Sequence, residues 1–251
     1  MTLSRRKLIG MGAAGAGGLL LGGCDRLNAS SGFRDSLASA EGLTMRAQRL
    51  LMGDALAREF TEREMSPSFR VNGNSKVEDT AYRRALASGF AGWTLRVDGL
   101  VQRPLALGLD ALKGLPQRTQ ITRHDCVEGW SAIGKWQGPQ LGPILAAAGL
   151  LPEARFAVFH CADAFDGKPY YESIDLIDAF HPQTILAWRM NDAPLSEGHG
   201  APVRLRVERQ LGYKQAKFVM RIELRATLAG LYGGKGGYWE DHRGYQWYAG
   251  I

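Results

Sequence analysis

Apolar and polar positions alternate through Trp93-Thr94-Leu95-Arg96-Val97-Asp98-Gly99, which predicts a strand closed by a turn. Phe156-Ala157-Val158-Phe159-His160-Cys161 is apolar until its end and predicts a buried strand. Further strands are expected over 120–126, 169–174, 184–190, 203–207 and 217–224, with a strand end and short helix over 105–112. Short helices are expected over 143–148 and 175–180. Leu50, Leu51, Leu56 and Phe60, with Glu59, Glu62 and Arg63 between them, predict one amphipathic helix that Pro67 ends. The folded body is expected to begin near Phe69. Many strands, few short helices and turn-dense joints give a β-rich mixed α+β domain. No repeat of 20–50 residues is visible, and the Gly-rich run 230–237 is followed by aromatics rather than an expected helix, which excludes a P-loop. Its aromatics (Tyr232, Tyr238, Trp239, Tyr245, Trp247, Tyr248) read as an arm packed on the body rather than as a binding platform.

Composition changes this picture little in the body and more at the start. An apolar fraction of 45% and a charged fraction of 22% over 251 residues describe an ordinary globular protein. Of the formal +6, Arg5, Arg6 and Lys7 sit in the first 23 residues, which hold no Asp or Glu, so the rest carries +3. That modest excess, without a basic stripe among aromatics, excludes a nucleic-acid footprint. Ser4-Arg5-Arg6-Lys7 followed by the apolar Gly/Ala-rich run to Gly23 is an export-signal pattern, too short and Gly-rich for a good spanning helix. The adjacent arginines point to the twin-arginine route. Leu21-Gly22-Gly23-Cys24 resembles a lipobox, with Cys24 as lipidation site. The organisation expected is a 1–23 signal, a polar helical tether or packing segment over 24–68, and one domain over 69–251.

Candidate chemistry centres on Arg123-His124-Asp125-Cys126-Val127-Glu128-Gly129-Trp130-Ser131. A lone thiol at a strand end, with Arg123 before it and Trp130 after, suits a soft-metal ligand or a nucleophile; it also suits a small buried hydrophobe. Asn72 and Asn74, in a turn-rich stretch, offer amides to a heterocycle or phosphate, or simply form a turn. Arg204, Lys214 and Lys217 read equally as an anion cradle and as a solvated strand face. The five histidines show no zinc spacing, and His160 and Cys161 point to opposite strand faces. A nucleophile elbow is absent, while a thiol hydrolase using Cys126 stays open.

The order Asn72, Cys126-Val127-Glu128-Gly129-Trp130-Ser131, His199-Gly200-Ala201-Pro202-Val203-Arg204 and Gly212-Tyr213-Lys214-Gln215-Ala216-Lys217 resembles the sulfite-oxidase-type molybdopterin-binding oxidoreductases. The resemblance runs from about Phe69 to Thr227. It is nearest the bacterial periplasmic branch that includes catalytic subunits of methionine-sulfoxide reductase systems. It implies a Mo-molybdopterin cofactor with Cys126 as the one protein thiolate on the metal. Asn72 and position 161 (polar in that branch, Cys161 here) would contact the pterin. His199, where the branch has Asn, and Arg204 would hold the cofactor, and Gln215, Ala216 and Lys217 would grip its phosphate.

What the resemblance implies about substrate departs from sulfite oxidases, which place an arginine shortly after the ligand cysteine where this chain has Trp130. Arg123 is the remaining candidate cation, and with Trp130 it is expected to shape the substrate mouth. The expected activity is two-electron oxo transfer to or from a small molecule, with reduction of an S-oxide or N-oxide preferred over oxidation of sulfite. The stretch after the last motif is too short for the family's immunoglobulin-like domain, and no haem domain is seen. Electrons are therefore expected to come from a separate partner, a cytochrome or a quinone-linked haem membrane subunit. The expected location is the periplasm, with a lipid anchor to the membrane. From a different class, a cofactor-free lipoprotein binding module would keep the same fold.

Overall fold

The computed structural model describes residues 30–251, so the expected leader, with Arg5, Arg6 and Cys24, lies outside the described residues. The chain divides into two compact units, one ending at Gly53 and one running from Asp54 to Ile251. The described part of the first is helix α1 (Ser31–Met52), capped by the Ser30 hydroxyl and ended by Gly53 at φ +47°. Its Leu43, Leu50 and Leu51 stay exposed. No described helix is long and apolar enough to cross a membrane.

The single helix expected from Leu50 to Arg63 is corrected. It stops at Met52, and the chain from Ala57 runs extended against an open strand edge. There the Phe60 N–H donates to Ile121 O at 2.8 Å, and Glu59 bridges Thr122. The Gln183 carboxamide exchanges two hydrogen bonds with the Ala57 backbone, at 2.7 and 2.9 Å. Backbone partners on the strand edge outweigh helix periodicity, and the second unit begins ahead of Phe69.

That unit opens with α2 (Thr80–Ala87), β1 (Thr94–Gly99), β2 (Leu105–Gly108) and α3 (Leu109–Gly114). It continues with β3 (Gln117–Cys126), β4 (Trp130–Pro139), α4 (Leu141–Ala148), β5 (Phe156–Phe165), β6 (Lys168–Asp175) and α5 (Leu176–Ala179). Then come β7 (Ile185–Ala187), β8 (Arg189–Met190), β9 (Ala193–Pro194), β10 (Arg204–Arg206), β11 (Val219–Arg225) and α6 (Tyr238–Arg243). A central sheet has the order β2-β1-β11-β5-β6, a second sheet β3-β4-β8-β9, and β10 pairs with β7. Only the β1–β11 pairing is parallel among these, so the central sheet is mixed and the others are antiparallel, consistent with the α+β expectation.

The core forms where the patterning placed it. Leu95 and Val97 of β1 are buried between exposed neighbours, and Ala157, Val158 and Phe159 of β5 are all fully buried. Helix α4 turns Leu141, Ile144, Leu145 and Ala148 inward and stops at Gly149 in the left-handed conformation. Each fully buried leucine of this kind contributes about 1.5–3 kcal/mol. The segment 184–190, expected as one strand, splits at Trp188 into β7 and β8, which belong to different sheets. Strand β4 was not expected, because its inward positions include Gly134 and Gly138. A Cβ at Gly138 would lie 2.0 Å from Leu186 O, so glycine is what lets β4 cross β7.

The aromatic tail packs on the body as expected, but it contains the short helix α6 that the sequence did not suggest. No phosphate cradle results: the Gly233 and Lys235 amides of the Gly-rich run already donate to the Asp241 carboxylate at 2.9 Å each. The arm is pinned by a fully buried ion cluster. Lys214 Nζ donates to Glu240 at 2.7 Å and also to Glu172 of β6. Burial and the neighbouring Glu240 carboxylate push Glu172 well above the usual carboxylate range.

Lys214→Met leaves two buried carboxylates without their cation and is expected to cost about 3–5 kcal/mol in urea unfolding. Adding Glu172→Leu and Glu240→Leu should recover most of that loss. A single variant as stable as the parent would show that the cluster does not hold the arm.

Candidate active site

The site is built on the β3–β4 hairpin. Its antiparallel register runs from Gln117↔Pro139 to Cys126↔Trp130. The loop Val127-Glu128-Gly129 closes it, with Gly129 at φ +85° and its N–H donating to Cys126 O at 3.0 Å. Strand periodicity puts His124 and Cys126 on one face and Arg123 and Asp125 on the other. His124 is fully buried, while Arg123 is largely exposed and donates to Asp125 Oδ2 at 2.9 Å. Trp130 stands beside the turn, its indole N–H donating to Glu128 Oε2 at 3.0 Å and its ring edge-on to Phe69.

His124 locks the hairpin to β10. Its Nδ1 accepts from Arg206 Nη1 at 3.1 Å, and Arg206 forks onto Glu208 at 2.9 and 2.6 Å. Burial, then the Arg206 and Arg204 charges, hold His124 well below its usual value, so it is neutral. Its ring lies against Gly212, where a Cβ would come within 2.5 Å of Nε2. Arg204 and Arg206 both stack on the buried Trp136 ring, at 5.0 and 4.2 Å.

Cys126 opens into a recess of about 630 Å³. Cys126, Val127 and Glu128 form one side, and Asn72, Gly73 and Asn74 another. Gln215, Lys217 and Asp163 contribute polar groups, and Phe165, Tyr170, Tyr213, Trp239 and Tyr245 an aromatic wall. Asn72 Oδ1 and Asp163 Oδ1 are buried without a hydrogen-bond partner among the described residues. Asn74 Nδ2 donates to Asp163 Oδ2 at 3.1 Å and to Ala164 O at 3.0 Å, which fixes the loop to β5. Lys217 Nζ donates to two carbonyls, Asn74 O at 2.6 Å and Gly198 O at 2.8 Å. Burial, then the Arg204 charge, push the ammonium down to about 7, and burial pushes Asp163 up to about 6. Burial also raises the Cys126 thiol, which is the opposite of an activated free nucleophile.

Not every sequence candidate reaches the recess wall. Arg123 faces away from Cys126 across the strand, and Trp130 flanks the turn without lining the recess. His199 is neutral and bonded to Ser196 Oγ through Nδ1 and to Phe69 O through Nε2, so it fastens the loop leading to Asn72. Arg204 lies behind Gln215, donating to Gln215 O at 3.4 Å and His199 O at 3.2 Å, with Nε unpartnered. Burial and Arg206 push it down to about 9, which leaves it charged. Ala216 is buried and accepts the Leu205 N–H at 2.8 Å. Cys161 lines an adjoining hollow that shares Asn74 and Asp163 with the recess, and burial keeps its thiol strongly protonated.

The three cations read as either cradle or strand face are all buried, so the solvated face is ruled out. Lys214, however, is turned into the Glu172–Glu240 cluster and leaves the cradle to Lys217 and Arg204. Asp163 was not named from the sequence, Glu128 was quoted only as part of the Cys126 motif, and Trp239 and Tyr245 were read as packing residues. The only signal for Asp163 was its two-residue spacing from Cys161, and the arm residues had none.

Against known proteins, the family model described as "Oxidoreductase molybdopterin binding domain" matches residues 84–230. The chain is 42% identical over 177 residues to "Putative protein-methionine-sulfoxide reductase subunit YedZ1" of Azospira oryzae, covering 70% of this chain and 62% of that protein. It is 32% identical over 184 residues to "Protein-methionine-sulfoxide reductase catalytic subunit MsrP" of Xanthomonas axonopodis pv. citri, covering 68% of this chain and 56% of that protein. The chain thus spans less than two thirds of the length of the relatives it matches. The crystal structure of the sulfane dehydrogenase SoxCD from Paracoccus pantotrophus shares the fold, with a TM-score of 0.50 and 22% identity over 69% of this chain and 46% of that one. With the family model matching more than half of its residues and a sulfite-oxidase-type fold beneath it, the chain belongs to the molybdopterin-binding oxidoreductases.

Proposed function

We propose that this protein carries a Mo-molybdopterin in the Cys126 recess and reduces an uncharged S-oxide or N-oxide by two-electron oxo transfer. One observation carries the reading: a half-buried thiol opens into the same recess as unpartnered buried acceptors and a buried ammonium bonded to carbonyls. When bound, the cofactor supplies two-electron oxo-transfer chemistry, with Cys126 as the soft protein ligand to its metal.

The residues fit such a group. Asn72 Oδ1 and Asp163 Oδ1 would accept from pterin ring N–H groups, relieving a desolvation cost of about 1–3 kcal/mol each. Lys217, with Arg204 behind it and the Gln215 and Ala216 backbone beside it, would hold the phosphate. Asn74 would support the pterin from the recess wall, and His199 and Cys161 would do so indirectly, through the Phe69 loop and from the adjoining hollow. Among the described residues no three His, Cys, Asp or Glu side chains gather as a metal-ligand set. Cys126 is therefore the ligand proposed from this chain.

Substrate charge follows from what faces the recess. Glu128 lines it two residues from Cys126 and disfavours an anion there, with Lys217 committed to the phosphate, while Arg123 pairs with Asp125 on the far face. Sulfite oxidation is thus the weaker reading. A thiol hydrolase is weaker still, because His124 is neutral and its Nδ1 is occupied by Arg206. The net reaction breaks the S–O bond, takes two electrons from a separate haem- or quinone-linked carrier and two protons, and releases the sulfide and water. The twin-arginine pattern and Cys24 support export to the periplasm and lipid anchoring there.

Protein exported by a molybdenum-replete bacterium is expected to carry near-stoichiometric molybdenum by mass spectrometry and to reduce sulfoxides with reduced benzyl viologen. Cys126→Ala should lose both, and metal-free wild type would defeat the reading. A second test concerns the phosphate cation. In cofactor-free protein, Lys217 titrates near 7 when folded against 10.5 unfolded, so the unfolded chain binds more protons between these values. Stability should then rise with pH over that window, and Lys217→Met should flatten the rise in urea titrations at its two ends. A rise unchanged in the variant would place the titration on another group.

A further inference from the structure

We propose that the C-terminal arm, beyond the family-matched residues, is a specificity wall in which Trp239 and Tyr245 contact the organic group of the substrate. The inference rests on the oxo-transfer reading of the Cys126 recess and adds the class of molecule it accepts: a neutral sulfoxide bearing an aryl or other bulky apolar group. The family match ends at residue 230, whereas both aromatics lie after it. They line the same recess as Cys126 and are half-buried, so part of each ring remains open to it.

The wall is continuous and rigidly backed. Trp239 and Tyr245 stack at 6.0 Å with 27° between their planes, Trp239 tilts on Phe165 at 5.1 Å, and Tyr245 meets Tyr213 edge-on at 5.0 Å. Behind them the arm is fastened at separate points. Glu240 binds buried Lys214, the Tyr213 hydroxyl donates to Gln246 O, and the Trp247 indole donates to Ser173 Oγ at 2.9 Å. Leu211 N–H donates to Ala249 O at 2.9 Å near the end of the chain. Aromatic faces held in place attract sulfur and flat apolar groups. With the Glu128 carboxylate in the same recess, the combination selects a neutral organosulfur ligand over a small anion.

The test uses the full exported holoenzyme and two probes, methyl p-tolyl sulfoxide and dimethyl sulfoxide. Binding to the oxidised enzyme is read by calorimetry, without turnover, and kcat and KM are read with reduced benzyl viologen. Trp239→Leu and Tyr245→Leu are expected to weaken binding of the aryl sulfoxide and raise its KM by about tenfold relative to that of dimethyl sulfoxide. Trp239→Phe, which keeps a ring, should retain the aryl preference. The proposal is overturned if the Leu variants keep their molybdenum and the aryl preference is unchanged. It is equally overturned if they lose the metal, since the wall would then serve the cofactor. Arm-dependent aryl binding without sulfoxide turnover would instead sink the oxo-transfer reading and leave the wall standing.

Discussion

The two-residue period of the β3–β4 ladder is the constraint on which the site depends. Because the register is unbroken from Gln117 to Cys126, the side that buries His124 also presents Cys126, and Arg123 is carried to the opposite face. A slip by one residue would exchange the two sets. The His124–Arg206–Glu208 chain holds that register from the side, fixing the hairpin to β10 through groups that are all buried. Gly212 completes the arrangement by leaving room for the imidazole.

Three basic residues near one another in sequence end with different roles because their partners differ. Arg206 is neutralised by a forked carboxylate, and Lys214 is held between two buried carboxylates. Lys217 bonds only carbonyls among its hydrogen bonds, in the part of the recess where an anionic group would be held. Burial makes the last arrangement costly in the absence of an anion, which is the usual trade between stability and a prepared site.

The sequence made much of this visible wherever a pattern is local. Alternation located β1, an apolar run located β5, and the spaced apolar positions located α4. It failed where a longer-range partner decides. Residues 57–66 carry helix-like spacing but pair with β3 and β4, and the inward glycines of β4 are explained only by Phe69 and Leu186 across from them. For the site, Cys126, Asn72, Gln215 and Lys217 were named from motif order and Asn74 from a turn-rich stretch, and all five line one recess. Arg123 lies on the strand face opposite Cys126, as strand parity alone indicates. Asp163, Trp239 and Tyr245 come together only through β5 and the folded-back arm, so no spacing along the chain announces them.

The central sheet has a further consequence, for the order in which the chain is made. Strand β11 lies between β1 and β5, bonded to the first in parallel and to the second in antiparallel. Until residues 219–225 have been synthesised, strands β1 and β5 face each other across a missing neighbour, each with an unpaired edge. Such edges are templates for pairing with another chain. Nascent or truncated forms ending before β11 are thus open on the inside of their main sheet, and only β11 closes these two inner edges.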